Sequence, residues 1–417
     1  MVASTSIICS PNWNRFTDGV LNRELDVEWE HGISLWGRRD RQSWSNSIPI
    51  SGAAPQYPPQ LVKRQQLKRN KRMWLIAVDE AGYGPKLGPL VVAATAWQII
   101  DVEAEREASV DLIQPNPFIP ISTPVRVADG MIRVDDSKQI FKGGSLTMLQ
   151  RIVSVALHAC GRADETLIER LPTLLPRDFE TISRVRWLKT IGVDSAGPLP
   201  FSSVEQTREA VQQWARSPWR LRDCQARMID AATFNRYCTG DPAGSHPLSS
   251  HPFPGVAPQG NKSDLLGETS ITLAADLLDS VTGPSSREHV QIFFDRHGGR
   301  RYYAGLIQQF FGGESVQIVS ESPAQSVYET VRRGMPVRLH FTVKGDRFAP
   351  VALSSLHAKY LREVAMAALN EYFCAAIGAA GFRPTAGYPV DADRFIEMVG
   401  AVLREREIAD ADLIRCR

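Results

Sequence analysis

Three short apolar segments, far apart in this chain, each end in acidic residues. The segments are Trp74–Val78 before Asp79 and Glu80, Val290–Phe294 before Asp295, and Val337–Val343 before Lys344, Gly345 and Asp346. The first segment is a continuous apolar run and the other two are largely apolar or alternate apolar with polar residues, and both patterns are typical of strands in a sheet. Longer stretches repeat their apolar residues at helical spacing, at 145–160, 264–280 and 352–373. The pattern therefore predicts an α/β protein.

A glycine-rich turn connects the first of these strands to another one. Residues 81–89 read Ala-Gly-Tyr-Gly-Pro-Lys-Leu-Gly-Pro, and an apolar run from Leu90 to Trp97 follows them. This order predicts a hairpin with a wide loop. Further strands are expected at 125–134 and 315–319, and a further helix at 302–311.

Composition limits the classes of function. The 417 residues contain 48 Lys and Arg against 46 Asp and Glu, so a net charge of +2 excludes a broad basic surface. Any nucleic acid must therefore be held by local patches. No apolar run approaches the ~20 residues of a membrane span, and residues 1–14 show no secretory signal. The six cysteines form no CxxC pair, which fits a reduced, cytoplasmic protein better than a zinc or redox motif.

The acidic strand ends have two interpretations. A single Asp after a strand commonly begins a turn or caps a helix. Three of them side by side at one sheet edge would form a negative, oxygen-rich pocket whose repulsion Mg²⁺ or Mn²⁺ relieves. Two such ions about 4 Å apart can activate a water and stabilise the leaving oxygen of a phosphodiester. The spacing alone leaves both interpretations open. The sequence contains no Walker A loop, the phosphate-binding motif, and no GxSxG elbow, the serine-hydrolase motif.

Four motifs, taken together, resemble a known family. They are Asp79-Glu80-Ala81-Gly82-Tyr83-Gly84-Pro85 with Leu87-Gly88-Pro89, Asp135-Asp136-Ser137-Lys138, Lys344-Gly345-Asp346 with Ser354-Ser355 and Lys359, and Gly387-Tyr388-Pro389. Their content and order are similar to type 2 ribonuclease H (ribonuclease HII). The resemblance implies an RNase H-like fold, in which helices flank a mixed central sheet. It also implies a monomeric endoribonuclease that uses two Mg²⁺ or Mn²⁺ ions. Its substrate would be the RNA strand of RNA–DNA hybrids, or ribonucleotides embedded in duplex DNA, and its products would carry 3′-OH and 5′-phosphate ends.

The resemblance also divides the chain into regions. It implies a catalytic domain at 73–396, with a large insertion around 141–224 and a loop at 240–260, followed by a C-terminal helical tail at 397–417. Residues 1–72 lie outside the resemblance and include a basic run from Lys63 to Arg72. This run is either an arm that grips phosphates or part of a disordered N-terminal extension, upstream of a misassigned start. The second interpretation is favoured because Met73 directly precedes the first strand.

Four acidic residues carry the implied catalysis and metal binding: Asp79, Glu80, Asp295 and Asp346. Asp79 would bridge the two metals, and Asp295 and Asp346 would hold one each. Glu80 poses a difficulty, because adjacent residues of a strand point to opposite faces of the sheet. It can serve the same site only if the strand ends or bulges there, or if its backbone carbonyl is used.

The implied substrate contacts come from eight further residues. Glycines let a backbone approach a ribose closely, and the 2′-OH distinguishes RNA from DNA. Ser137 and Lys138 would hold a phosphate, and Tyr388 would stack on a sugar or base. Ser355 and Lys359 share one face of a helix. Without the resemblance, each position is as readily a turn, a solvated residue or a packed one. The eight residues are Gly82, Tyr83, Gly84, Ser137, Lys138, Ser355, Lys359 and Tyr388.

Several positions depart from the family pattern. Tyr83 replaces an Arg, and Arg296 replaces the Gly that usually follows the aspartate. The gap from Asp295 to Asp346 is longer than usual. The lost Arg puts recognition of a ribonucleotide junction in doubt more than hydrolysis itself. Two alternatives therefore stay open, namely a hybrid-binding protein that does not cut and another RNase H-fold nuclease that acts on DNA. The run Arg300–Tyr303 either clamps a strand or starts a helix whose tyrosines enter the core.

Overall fold

The computed structural model describes most of the chain from Met73 onward. The described residues are 73–99, 116–127, 130–141, 146–162, 167–189, 191, 204–239 and 260–416. The expected N-terminal extension at 1–72 lies outside them, as do residues 240–259 of the expected loop. Within the described ranges, no helix combines the length and the apolar character needed to cross a bilayer.

A seven-stranded sheet forms the centre of the fold. The strands in chain order are β1 (Met73–Ala81), β2 (Leu90–Ile99), β3 (Val125–Val127), β4 (Gly130–Ile132), β5 (Trp219–Ile229), β6 (His289–Asp295), β7 (Gln317–Glu321), β8 (Gln325–Arg332) and β9 (Met335–Thr342). The sheet has the order β5-β2-β1-β6-β9-β8-β7, and β3 and β4 form a separate hairpin. β6 is parallel to both β1 and β9, and the other pairings are antiparallel. The sheet is therefore mixed.

Helices cover both faces of this sheet. They are α1 (Ile119–Ser122), α2 (Ser137–Ile140), α3 (Leu146–Ala159), α4 (Leu167–Leu174), α5 (Phe179–Arg184), α6 (Val204–Trp214), α7 (Ala231–Thr239), α8 (Lys262–Val281), α9 (Ala304–Leu306), α10 (Ala349–Ile377), α11 (Pro389–Glu405) and α12 (Asp410–Leu413). A π-helical turn covers Ile307–Phe311, and a 3₁₀ turn covers Gly345–Arg347. The mixed sheet with helices on both faces confirms the predicted α/β class and the predicted mixed central sheet.

The pleat of β1 divides the core into two layers. Leu75 and Ala77 face the layer that contains α3 and α10, whereas Ile76 and Val78 face the layer that contains α8. This alternation follows from the two-residue period of a strand. Each fully buried side chain of the size of Leu or Ile contributes about 2 kcal/mol to these layers. The same alternation decides which face each acidic residue at the end of β1 occupies.

Most predicted elements are present, with two local differences. The single strand expected at 125–134 is the hairpin of β3 and β4, and Gly130, at φ +147°, begins β4. The helix expected at 302–311 begins only at Ala304, because Tyr303 packs into the core with its ring centroid 3.7 Å from that of Phe341. Aromatic packing in the core therefore sets the start of this helix.

The expected region boundaries also differ from the elements. β5 pairs with β2, so residues 219–224 of the expected insertion belong to the central sheet. The expected start of the C-terminal tail at 397 lies inside α11, which is one continuous helix from Pro389 to Glu405. The long gap between Asp295 and Asp346 contains the hairpin of β7 and β8, which extends the sheet beyond β9.

Candidate active site

Two of the four predicted acids lie at the same end of two parallel strands. The β1–β6 register pairs Val78 with Phe294, so Asp79 and Asp295 follow next to each other at the ends of their strands. Asp79 continues the face of Leu75 and Ala77 and therefore points toward α10. It is 7% exposed.

Glu80 lies on the opposite face, as the pleat requires. It pairs with Val92 of β2 and follows Ile76 and Val78 in the alternation, yet a side-chain hydrogen bond joins its carboxyl to that of Asp79. Its backbone N–H also donates to Asp79 Oδ1 at 2.7 Å. The β1–β6 pairing ends at Val78, so the sheet opens beside Glu80 and its carboxyl stays within electrostatic reach of Asp295.

The third segment reaches the site through a tight turn. Lys344 adopts the left-handed conformation (φ +58°, ψ +44°) and directs the chain into the 3₁₀ turn that carries Asp346. The Gly345 N–H donates to Asp295 Oδ1 at 2.7 Å. A Cβ on Gly345 would lie 3.0 Å from Asp295 Cα and 3.1 Å from Phe294 O. The turn is therefore packed directly against the end of β6, and a larger residue at 345 would require this backbone to shift by a few tenths of an ångström.

The four carboxylates perturb one another. Burial raises the pKa of Asp79 well above its usual range, and the charges of Glu80 and Asp295 raise it further. Burial and then Asp295 raise the pKa of Glu80 to about 7. Burial and the charge of Asp346 likewise raise the pKa of Asp295. Within the described part of the chain, none of the four carboxylates forms an ion pair. The charges of Lys138 and Arg347 offset only part of the repulsion, so the pKa values of the four carboxyls stay raised.

Sequence reasoning missed one member of this environment. After burial, the charge of Asp136 is the next cause of the raised pKa of Asp346. Asp136 caps α2, because its side chain accepts from the Lys138 N–H at 2.8 Å. The motif around Ser137 contained this residue, but its cap role gave no sign that it would lie near Asp346.

Ser355 links two of the predicted motifs. Its hydroxyl hydrogen-bonds Asp79, which opposes the rise in that pKa, and it lies 3.2 Å from Ser137 Oγ. Lys138 is exposed, and its charge lowers the pKa of both Asp295 and Asp346. Ser137, Lys138 and Ser355 therefore border the acidic group.

Two predicted substrate residues have protein partners. Lys359 Nζ lies 3.2 Å from Glu363 and 4.3 Å from the centroid of the Phe141 ring. Tyr388 is 52% exposed, and the Arg362 guanidinium lies 6.0 Å from its ring centroid. Lys359 is thus held by its own helix, whereas Tyr388 presents an open ring face.

The glycine-rich loop has one constrained and one open glycine. Gly82 adopts φ +85°, and a Cβ there would lie 2.6 Å from Pro89 O and 2.7 Å from Arg362 Cδ. A Cβ on Gly84 would meet nothing within 4 Å. Gly82 is therefore required by the turn itself, whereas the backbone at Gly84 is open to a ligand.

Tyr83 lies over the start of α8. Lys262 Nζ is 5.1 Å from the centroid of its ring. Burial raises the pKa of Tyr83, while a hydrogen bond with Ser263 lowers it and the charge of Glu80 raises it. Asn261 fixes this end of α8 by accepting from the Ser263 and Asp264 N–H groups at 2.9 and 3.1 Å. Tyr83 and Glu80 therefore share the α8 side of the site.

The run Arg300–Tyr303 is divided between the core and the surface. Tyr303 is fully buried, and Arg300 forms an ion pair with Asp264. Tyr302 is 62% exposed, and the guanidinium of Arg301 lies 5.7 Å from its ring centroid. The helix-start interpretation is right for Tyr303 and does not apply to Tyr302.

The donor set suits a hard divalent cation in chemistry. All four acids offer carboxylate oxygens, the ligands that Mg²⁺ and Mn²⁺ prefer, and within the described residues none of them forms an ion pair. Among the described residues, however, no group of three or more His, Cys, Asp or Glu side chains is arranged to hold a metal ion. The carboxylates are thus close enough to raise each other's pKa without forming a closed set of ligands.

The architecture defines the class as an α/β protein with a mixed seven-stranded sheet and an acidic group at the end of its central parallel strands. No protein-family model matches the chain, and no curated protein matches it. Similar solved structures include ribonuclease H2 from Pyrococcus horikoshii OT3 and the PCNA:RNase HII complex from Archaeoglobus fulgidus. The first is 14% identical to this chain and the alignment covers 82% of this chain and 92% of that one, at a TM-score of 0.33. The second is 13% identical, and its alignment covers 82% of this chain and 94% of that one, also at a TM-score of 0.33. Bst-RNase HIII in complex with Mn²⁺ is 14% identical over 82% of this chain and 66% of its own, at a TM-score of 0.34. These neighbours are ribonucleases H of the kinds named HII and HIII.

Proposed function

We propose that this chain is a metal-dependent endoribonuclease that cuts RNA strands in RNA–DNA hybrids, or at ribonucleotides embedded in duplex DNA. The observation that supports it is the group of four carboxylates from three distant segments at one end of β1 and β6. Asp79 is buried and the other three side chains are partly buried. Within the described residues none of the four forms an ion pair, and they raise one another's pKa. Repulsion among these carboxylates destabilises the folded protein. A positively charged ligand would relieve this repulsion.

Asp79, Glu80, Asp295 and Asp346 would hold two Mg²⁺ or Mn²⁺ ions. When bound, these ions would supply an activated water and stabilise the leaving oxygen, which gives 3′-OH and 5′-phosphate products. The protein's own part is to orient the carboxylates. Ser355 holds Asp79 by a hydrogen bond, and the Gly345 N–H fixes Asp295 Oδ1. Glu80, at a pKa of about 7, would give up its proton when the site is filled.

Substrate contacts would surround this group. The open backbone at Gly84 and the neighbouring Gly82 and Tyr83 would face the ribose, where a 2′-OH identifies RNA. Exposed Lys138, with Ser137 beside it, would hold a phosphate. The half-exposed ring of Tyr388 would stack on a sugar or base. The proposal includes that the protein is a monomer and that it acts in the cytoplasm.

A non-cleaving hybrid-binding protein is the second candidate. The described residues contain no set of three ligating side chains arranged for a metal, and Lys359 is held by Glu363. Both observations favour binding without hydrolysis. A DNA nuclease of the same fold is distinguished in the same experiment.

The test uses the purified full chain with Mg²⁺, Mn²⁺ or EDTA. Three labelled duplexes are compared: DNA with one ribonucleotide, an RNA–DNA hybrid, and all-DNA. Asp79→Asn and Asp346→Asn are assayed beside Glu209→Gln, which changes an exposed acid of α6 far from the carboxylate group in sequence.

Metal-dependent nicking at a ribonucleotide or in the hybrid supports the proposal if both Asp variants abolish it and Glu209→Gln retains it. Hybrid binding without nicking under either metal supports the second candidate. Cutting of all-DNA duplex at the same rate as the hybrid contradicts both. Size-exclusion chromatography of the same sample tests the monomer.

A further inference from the structure

The segment Ile414–Cys416, here called the strap, lies against the glycine-rich loop. Ile414 forms an isolated antiparallel bridge with Leu87. The Arg415 N–H donates to Lys86 O at 3.0 Å, and the Arg415 guanidinium donates to Pro85 O. Three consecutive loop residues therefore bind a segment more than 300 positions away.

The Arg415 side chain is buried, and its surroundings are unusual for an arginine. Its side chain is 3% exposed, and the guanidinium lies 5.0 Å from the Phe234 ring centroid. Within the described residues, its Nε and Nη1 atoms have no hydrogen-bond partner. Burial, followed by the charge of Arg362, lowers the pKa of Arg415 to about 9. Burying a charge with so few partners costs free energy. Stability alone therefore does not explain why an arginine is buried at position 415. Among the described residues, the acceptor that its guanidinium uses is Pro85 O, which belongs to the loop.

Asn235 of α7 anchors the strap from the other side. Its Nδ2 donates to Ile414 O at 2.7 Å and to Ala411 O at 2.9 Å. Its Oδ1 accepts from the Cys416 N–H at 2.7 Å. One amide side chain thus fixes the strap to a helix, independently of the Arg415 side chain.

The opposite side of the loop is held by a different segment. The Lys86 and Leu87 N–H groups both donate to Gly387 O, at 2.8 and 3.1 Å. The Arg362 guanidinium donates to Ala386 O at 2.9 Å and packs against Gly82. The loop therefore lies between the strap and the 386–387 segment, and both of its edges are fixed by backbone hydrogen bonds.

We infer that Arg415 is a positioning residue that sets the location of Gly82–Gly84 relative to the carboxylate group. It acts through Pro85 and Lys86 and does not contact the reacting atoms. Residues 79–84 run without interruption from the acidic strand end into the loop, so a shift at Pro85 is passed to Tyr83 and to the open backbone at Gly84. This inference rests on the proposed function.

The test measures loop position and activity separately. Hydrogen–deuterium exchange in the full chain without substrate follows the amide of residue 415, which donates to Lys86 O, and the Lys86 and Leu87 amides at the other edge of the loop, which donate to Gly387 O. Nicking of the single-ribonucleotide duplex gives kcat and KM. The variants are Arg415→Met, Arg415→Lys and Asn235→Ala, and the control is Arg404→Met, which changes an exposed arginine in the last turn of α11.

Arg415→Met is expected to speed exchange of the residue 415 amide and of the two loop amides. It should lower kcat/KM by about 10- to 100-fold, the size of effect that a misplacement of about 1 Å produces. Arg415→Lys keeps a donor that reaches Pro85 O, so it should recover most of both losses. Asn235→Ala loosens the strap with Arg415 intact and should change both measurements in the same direction. Arg404→Met should change neither.

Unchanged exchange in both Arg415→Met and Asn235→Ala would overturn the inference, whether or not the chain cuts RNA. Faster exchange with unchanged kcat/KM would also overturn it, because the loop would then move without consequence. Equal losses in the Met and Lys variants, with a lowered melting temperature, would reduce Arg415 to a structural role. A wild-type chain that cuts no duplex contradicts the proposed function, and the exchange data then still decide whether the strap holds the loop.

Discussion

Replacing Glu80 by Gln should make the metal-free protein more stable at neutral and alkaline pH. Folding raises the pKa of Glu80 from 4.5 to about 7, mainly by burial and then through Asp295. The folded state therefore binds a proton that the unfolded chain releases, so stability falls as pH rises from 4.5 through 7. At about 1.4 kcal/mol per pKa unit, ionised Glu80 costs the folded protein about 3 kcal/mol at pH 8. At pH 5 the cost is about 1 kcal/mol or less.

Gln keeps the shape of the protonated acid and never ionises. We expect Glu80→Gln to exceed the wild type by about 3 kcal/mol at pH 8 and by less than about 1 kcal/mol at pH 5. The measurement is urea unfolding in EDTA at constant ionic strength, followed by tryptophan fluorescence. Glu268→Gln is the matched control, because burial in α8 also raises the pKa of Glu268 to about 7, outside the carboxylate group.

Mn²⁺ separates the two variants. Glu80→Gln and Glu268→Gln should both be more stable than the wild type in EDTA at pH 8. Added Mn²⁺ should stabilise the wild type and Glu268→Gln fully and Glu80→Gln less, since a bound cation replaces the proton at Glu80. If Glu80→Gln is no more stable than the wild type at pH 8, the carboxylate is solvated and the reasoning about repulsion in this site is wrong.

Three further substitutions probe how the site is built. Gly345→Ala places a Cβ 3.0 Å from the Asp295 backbone, so it should cost about 1–3 kcal/mol in thermal unfolding and reduce activity; an unchanged Tm would contradict the packing. Lys344→Gly relieves a left-handed residue at φ +58° and should leave stability equal or raise it by up to about 1 kcal/mol, whereas a loss would show that the Lys344 side chain stabilises the turn. Ser355→Ala removes a hydrogen bond that lowers the pKa of Asp79, so the acid limb of the pH–rate profile should move to higher pH; an unmoved limb would exclude this role.

The sequence predicted the fold class and the meeting of the strand ends because the relevant signals are local. Apolar runs that end in Asp79 and Asp295 are central strands of one sheet, and parallel neighbours bring their carboxyl ends to the same edge. The hairpin of β1 and β2 followed from the same pattern and from the glycines between the strands.

The missed features depend on contacts between distant residues. β5 was not expected, because its charged residues interrupt the apolar pattern that predicts a strand. One of them, Arg227, is buried and forms an ion pair with Asp178 at 2.8 Å. The nearness of Asp136 to Asp346, and of Arg415 to Pro85, likewise has no local signal. No spacing rule links residues 330 positions apart, so these parts of the site required the structure.

The hairpin that lengthens the gap between Asp295 and Asp346 also affects how the protein behaves in concentrated solution. Its outer strand, β7, forms one border of the sheet, and it carries Ile318 and Val319 at 58% and 50% exposure. Among the described residues, β8 is the only strand that pairs with it. Exposed apolar side chains on a border strand favour self-association, and here they lie at the bulge between Ile318 and Ser320. Crowding should therefore bring copies together along this border first, on the far side of β9 from the acidic end of β1.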